Sequence, residues 1–173
     1  MTIDFYYASW SPPCRTVELV AHILNVELNR IVTTPSKGDT QKPEYKQLNP
    51  QHTIPTIVDN GFVLSESLQT NSPVFMTGHF GTAALPKLKA ALEILDAYLA
   101  KSKWVAGPEV TLADIVVVVT ISSLEIVGYE LTSYPNILKW FKAAQTTLPG
   151  YNEANHKGTI AFKDYLFSKL KTN

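Results

Sequence analysis

Cysteine is nearly absent: Cys14 is the single one among 173 residues. One thiol closes no disulfide within the chain, which excludes a cystine-stapled scaffold and suits a reducing, cytoplasmic compartment. A charge of one sign is lacking too, since 15 basic side chains stand against 15 acidic ones for a formal net charge of zero. Nucleic acid is held by basic surface, so this balance argues against it as a partner. No run of like charge marks a membrane-binding patch either. The four histidines, His22, His52, His79 and His156, have no partner at metal-ligand spacing, and no metal is expected. A glycine-rich phosphate loop is missing. So is a bilayer-length apolar run: the most apolar stretch, residues 115–121, is bracketed by Asp114 and Glu125 and falls well short of the roughly 20 residues that span a bilayer. The opening MTIDFYYASW has no basic segment followed by an apolar one, so no signal peptide is expected.

What the chain does have is an ordinary globular balance, 45% hydrophobic and 17% charged, and enough length for a proper core in one or two small domains. Residues 3–8, rich in Phe and Tyr before a Ser/Pro cluster, read as a short strand. Pro13 suits a first helical position, and Val17, Val20, Ile23 and Leu24 recur at helical spacing, so a helix is expected from Pro13 to about Leu24. A second strand follows over 27–33, a polar loop over 34–40, and a short helix over 43–48 stopped by Asn49-Pro50. Residues 56–58 and 62–64 flank Asp59-Asn60-Gly61, a hairpin signal. Ser65-Glu66-Ser67 has the composition of a helix cap. This order describes a small α/β unit with a mixed sheet.

From about Leu85 every segment reads as helical. Residues 85–100 carry Leu88, Leu92, Leu95 and Leu99 at spacings of three and four. Thr111 and Asp114 form a capping box, with Val110 and Ile115 placed as a hydrophobic staple. A further helix runs from Pro135 through Ala144, and an amphipathic one over 159–170.

Three places could carry chemistry. Trp10-Ser11-Pro12-Pro13-Cys14 sits where the first strand meets the first helix, where unpaired amides and the helix dipole favour an anion. Thiol enzymes place a C-x-x-C motif at such a junction because the first sulfur is stabilised as thiolate. Here Ser11 holds that position, and its hydroxyl can donate to another molecule's thiolate. Otherwise Ser11 is a helix cap and Cys14 a small buried hydrophobe. In His52-Thr53-Ile54-Pro55-Thr56, a cis proline would turn the Ile54 amide and carbonyl toward an extended peptide ligand. A trans proline entering an edge strand is the other reading. Ser65-Glu66-Ser67 could hold the carboxylate and ammonium ends of an amino acid at a helix N-terminus, or could be ordinary capping.

Taken together, DFYY, SPPCRTVEL, NPQHTIPTIVDNGF and SES in the first half, with VAGPEVTLADI, YPNILKWF and LPGYNEAN in the second, resemble the insect Delta and Epsilon glutathione transferases over nearly the whole chain. The resemblance implies an α/β thioredoxin-like, glutathione-binding domain at 1–72 and an all-α helical domain at 73–173. It implies a detoxifying enzyme that conjugates glutathione, its co-substrate, to small apolar electrophiles, and a cytoplasmic homodimer. By the same resemblance Ser11 stabilises the glutathione thiolate, His52, Ile54, Glu66 and Ser67 contact glutathione, and Pro55 is cis. The electrophile pocket draws on Ala8 and Pro12 in the loop after the first strand, and on Phe162 and Tyr165 of the last helix. Thr111 and Asp114 match a structural capping box, and Cys14 acquires no role.

The chain also departs from the family. Trp10 stands where a glycine usually precedes the serine, Thr40 where a histidine is expected, and Leu68 where an arginine follows the Glu-Ser pair. The family continues after Ser67 through a helix, a linker and most of a long helix, whereas here Leu68 leads almost at once to Pro73. Loss of that stretch would remove one wall of the electrophile pocket and much of the dimer contact. A catalytically impaired glutathione- or ligand-binding variant is therefore the second reading. An interaction module like the transferase-like domain of a translation elongation factor subunit is the third, and such a module has no need of Ser11 with Glu66 and Ser67.

Overall fold

The computed structural model describes residues 2–65 and 85–170. The first region holds β1 (Ile3–Tyr7), α1 (Pro12–Leu24), β2 (Leu28–Val32), α2 (Pro43–Leu48), β3 (Thr56–Asp59) and β4 (Phe62–Ser65). The sheet order is β2-β1-β3-β4. β1 runs parallel to β2 with Ile3 opposite Leu28, and antiparallel to β3 with Tyr6 opposite Thr56. β3 and β4 form the expected hairpin. Its turn residues Asn60 and Gly61 have φ of 49° and 82°, the left-handed pair that matches the twist of the flanking strands.

Alternation along β1 separates the two faces of the sheet. Phe5, fully buried, packs with Cys14, Ala21 and Leu28 on the α1 side. Tyr6 points the other way and meets Tyr45 of α2 edge-on, with ring centroids 5.5 Å apart.

The second region is helical: α3 (Leu85–Leu99), α4 (Leu112–Ile126), α5 (Pro135–Thr147), a π-type turn (Tyr151–His156) and α6 (Lys157–Leu170). Leu92 and Leu99 of α3 are buried, and Leu88 and Leu95 pack beside them, as the spacing requires. The same core takes in Val118, Ile121, Ile137, Trp140 and, from α1, Leu19, so α1 is shared between the sheet and the helical layer.

Local signals placed most boundaries. Pro12 and not Pro13 begins α1, because either proline suits the first turn. The segment read as a polar loop over 34–40 contains two single 3₁₀ turns, Pro35–Lys37 and Asp39–Gln41. The last helix begins at Lys157, behind the π-type turn, which follows Gly150 at φ 72°. A side chain at Gly150 would lie 2.4 Å from the His22 ring, so the close approach of this turn to α1 requires glycine.

The capping box closes as expected. The Thr111 amide donates to Asp114 Oδ2 at 2.9 Å. Asp114 Oδ1 also accepts from the Val105 amide and from Trp140 Nε1, each at 2.9 Å, so one buried carboxylate ties a loop, α4 and α5 together. The N-terminus of α5 is capped from a neighbouring helix: Asp96 Oδ1 accepts from the amides of Asn136 and Ile137, both at 2.9 Å.

Candidate active site

A tight turn links β1 to α1, in which the Ser11 amide donates to the Ala8 carbonyl at 3.0 Å and the Arg15 amide to the Ser11 carbonyl at 3.0 Å. Ser11 occupies the cap position of α1, yet its side chain makes no capping bond, so simple capping is not what the hydroxyl does here. Ala8, Ser11, Pro12 and Cys14 are all buried. Burial pushes the Cys14 thiol up to about 11, against the opposing bonds from Ser11 and Ala8. Cys14 is thus an un-ionised core group at neutral pH, in keeping with its reading as a small hydrophobe.

The entry to β3 lies beside this turn, because Tyr6 pairs with Thr56. The Ile54–Pro55 peptide bond is cis, as the resemblance implied. Asn49 braces the loop: its Nδ2 donates to the Thr53 carbonyl at 3.1 Å and to Thr56 Oγ1 at 2.9 Å, while its Oδ1 accepts from the Gln51 amide at 3.0 Å. The Tyr45 hydroxyl donates to the same Thr53 carbonyl at 2.6 Å. His52 projects from this braced loop, exposed, at φ 46°, with Nδ1 3.3 Å from Gln41 Nε2.

The register Thr56–Ser65 brings the end of β4 alongside. Pro12, Pro55 and Ser65 line one cleft of about 350 Å³, with Val17, Ile57 and Leu64 adding apolar walls. Each of the three stretches therefore contributes a residue to this cleft, the first through Pro12, since Ser11 is not among its lining residues. Ser65 is the last residue of β4, and Glu66 and Ser67, which follow it, lie outside the described residues, as does the junction after Ser67.

The helical layer closes over the turn through α6. Tyr165 is half-buried, and its ring stacks on Trp10. Phe162, one turn earlier, is only 2% exposed and lies beneath the Arg15 guanidinium, whose carbon is 6.0 Å from the ring centroid. The two aromatic rings expected to face a pocket thus part ways: Tyr165 stays half-buried against Trp10, and Phe162 packs into the interior. At Gly158 an added Cβ would stand 2.3 Å from the Ser9 carbonyl oxygen, so the absence of a side chain lets α6 rest on the turn.

Arg15 is a central group that the sequence reading left unassigned. It is 1% exposed and joins α1 to the helical layer by bonds from Nη1 to Asn155 Oδ1 at 2.7 Å and to Thr159 Oγ1, and from Nη2 to Ser123 Oγ at 2.7 Å. Its one signal in the sequence is the i, i+4 spacing to Leu19 on the buried face of α1. Among the described residues no group of three or more His, Cys, Asp or Glu side chains could hold a metal ion, and no helix is long and apolar enough to cross a membrane.

The chain matches the family models for the glutathione S-transferase N-terminal domain over residues 10–71 and the C-terminal domain over residues 81–145. It is 33% identical to glutathione S-transferase D7 of Drosophila melanogaster, over an alignment of 196 residues that covers 87% of this chain and 88% of that protein. Those 196 aligned positions exceed the 173 residues of this chain, so at least 23 of them face no residue here. Among solved structures it is similar to a delta-class glutathione transferase of Nilaparvata lugens, with a TM-score of 0.87 at 33% identity over 97% of this chain and 100% of that one. It is also similar to the Bombyx mori glutathione transferase BmGSTD1, with a TM-score of 0.87 at 31% identity over 95% and 98% of the two chains.

Proposed function

The chain belongs to the glutathione S-transferase family and is an enzyme of that class, and from this premise we propose that it joins the thiolate of glutathione, its co-substrate, to small apolar electrophiles, as a cytoplasmic detoxifying enzyme. The observation that carries the reading is the position of Ser11: a buried hydroxyl at the cap of α1, free of capping duty, and next in the chain to Pro12, which lines one cleft with the cis Pro55. A hydroxyl there donates to the bound thiolate, and the dipole of α1 favours the same negative charge. Sulfur then attacks the electrophilic carbon, and either a leaving group departs with its electron pair or a conjugated double bond takes up the charge and a proton. The enzyme contributes a lowered thiol pKa and a fixed approach.

Backbone groups of Ile54, with His52, Glu66 and Ser67, hold the peptide of glutathione in this reading. Ala8, Pro12 and Tyr165 border the electrophile, and Phe162 supports that border from below. In the same reading the chain divides into a glutathione-binding domain at 1–72 and a helical domain at 73–173.

The surplus of aligned positions in the Drosophila relative fits a stretch missing after Ser67. A pocket short of one wall buries less of a bulky ligand, and about 100 Å² of lost apolar contact costs on the order of 2.5 kcal/mol. We therefore propose that small electrophiles are preferred over bulky ones, and that a homodimer, if formed, is weaker than in full-length relatives. Retention on immobilised glutathione, followed by conjugation assays with a small and a bulky electrophile, tests this. Retention with no conjugation of either electrophile would leave a binding protein, and no retention would sink the reading. Sedimentation of the purified chain reads the oligomer.

A further inference from the structure

Arg15 carries a buried charge without a counter-ion. Its terminal nitrogens donate to three uncharged oxygens, on Asn155, Thr159 and Ser123, and its Nε has no hydrogen-bond partner. The ion pairs among the described residues lie elsewhere, between Arg30 and Glu18 and between Lys42 and Asp39. Removing a cation from water is costly unless an anion accompanies it. Burial does pull the Arg15 pKa down, to about 10, yet the group stays protonated at neutral pH.

Arg15 lines a polar cavity of about 360 Å³ between α1, the sheet and the start of α6. Arg15, Arg30 and Lys157 on its walls outnumber Glu18 and Glu153 by one charge. Glu18 is already engaged by Arg30, and Glu153 is exposed. Tyr7 and Ser9 add hydroxyl groups to the wall. This cavity shares no lining residue with the cleft described above, so the two are separate.

We propose that this cavity binds a small oxyanion, a carboxylate or phosphate group, which supplies the counter-charge that Arg15 lacks and links Lys157 of α6 to α1. The site takes its specificity from charge and from hydroxyl donors, because its walls offer both in a confined space.

Calorimetric titration of the full chain, without glutathione and at constant ionic strength, tests the proposal with inorganic phosphate and, separately, with acetate. Saturable binding of one anion per chain is expected. Lys157→Glu, at an exposed position, should weaken it at least tenfold, and Arg15→Met should abolish it in a chain that still folds. Saturation by phosphate alone marks a phosphate-bearing ligand, and saturation by acetate alone a carboxylate. No saturable binding of either anion, or wild-type affinity in Lys157→Glu, would overturn the proposal.

Discussion

The indole of Trp10 and the ring of Tyr165 lie parallel, 5° apart in orientation and 4.4 Å between centroids. This stack joins the residue before Ser11 to the last helix, so the turn after β1 is held by a residue near the other end of the chain. Aromatic pairs contribute about 0.5–1.5 kcal/mol beyond the area they bury. Trp10→Gly should cost about that much stability and should raise KM for a flat aromatic electrophile more than for a small aliphatic one. Tyr165→Phe should preserve both properties, and Tyr165→Leu should not. Equal KM changes for the two electrophiles would reduce the stack to a structural brace.

Ser11→Ala removes the proposed donor to the thiolate. One hydrogen bond to a charged group contributes about 1.5–3 kcal/mol, so kcat/KM at neutral pH should fall by one to two decades. The pH profile should move to higher pH as the bound thiol becomes less acidic. Ultraviolet titration of the bound thiolate reads that shift directly, and an unchanged profile would remove Ser11 from the chemistry.

Asp114 accepts hydrogen bonds from the Thr111 and Val105 amides and from Trp140 Nε1, and it is fully buried. Asp114→Ala loses a cap, worth about 0.5–2 kcal/mol. It also strands buried donors at about 1–3 kcal/mol each. A loss of at least about 3 kcal/mol is expected from urea unfolding, as a lower midpoint at constant slope. Asp114→Asn keeps one acceptor oxygen and should lose less. A cost below about 1 kcal/mol for Asp114→Ala would show that water replaces the carboxylate.

Cys14 sets a pH dependence of stability. Its folded pKa is raised by burial from 9.0 to about 11. A raised folded pKa means that the folded chain holds the proton more tightly, so the contribution is complete below pH 9 and is lost as pH rises through about 11. Two units correspond to roughly 2.7 kcal/mol at most. Stability of the wild-type chain should therefore fall more steeply between pH 9 and 11 than that of Cys14→Ala, whose small cavity imposes a constant offset. Parallel curves would show that the thiol titrates normally.

Much of the fold was legible because its signals are local. Asn60-Gly61 dictates the hairpin through the φ values it tolerates, prolines mark the starts of α1, α2 and α5, and Thr111 with Asp114 opens α4. Of the candidate site, Ser11 and Pro55 stood out in the same way, one by its place at a strand-to-helix junction and the other by entering a strand as proline. Phe162 and Tyr165 were legible only as a pair at helical spacing, and that spacing does not say which ring turns inward.

The chain by itself determined the order and type of its elements, since turn chemistry, capping and hydrophobic period act over a few residues. Only the tertiary structure decided that Asp114 would hold Trp140, that Asp96 would cap the helix starting at Pro135, and that Arg15 would bond Asn155, 140 residues away. Such bonds depend on where two helices cross. Crossing is set by the summed packing of the apolar faces, and the polar side chains it brings together carry no mark of one another in the sequence.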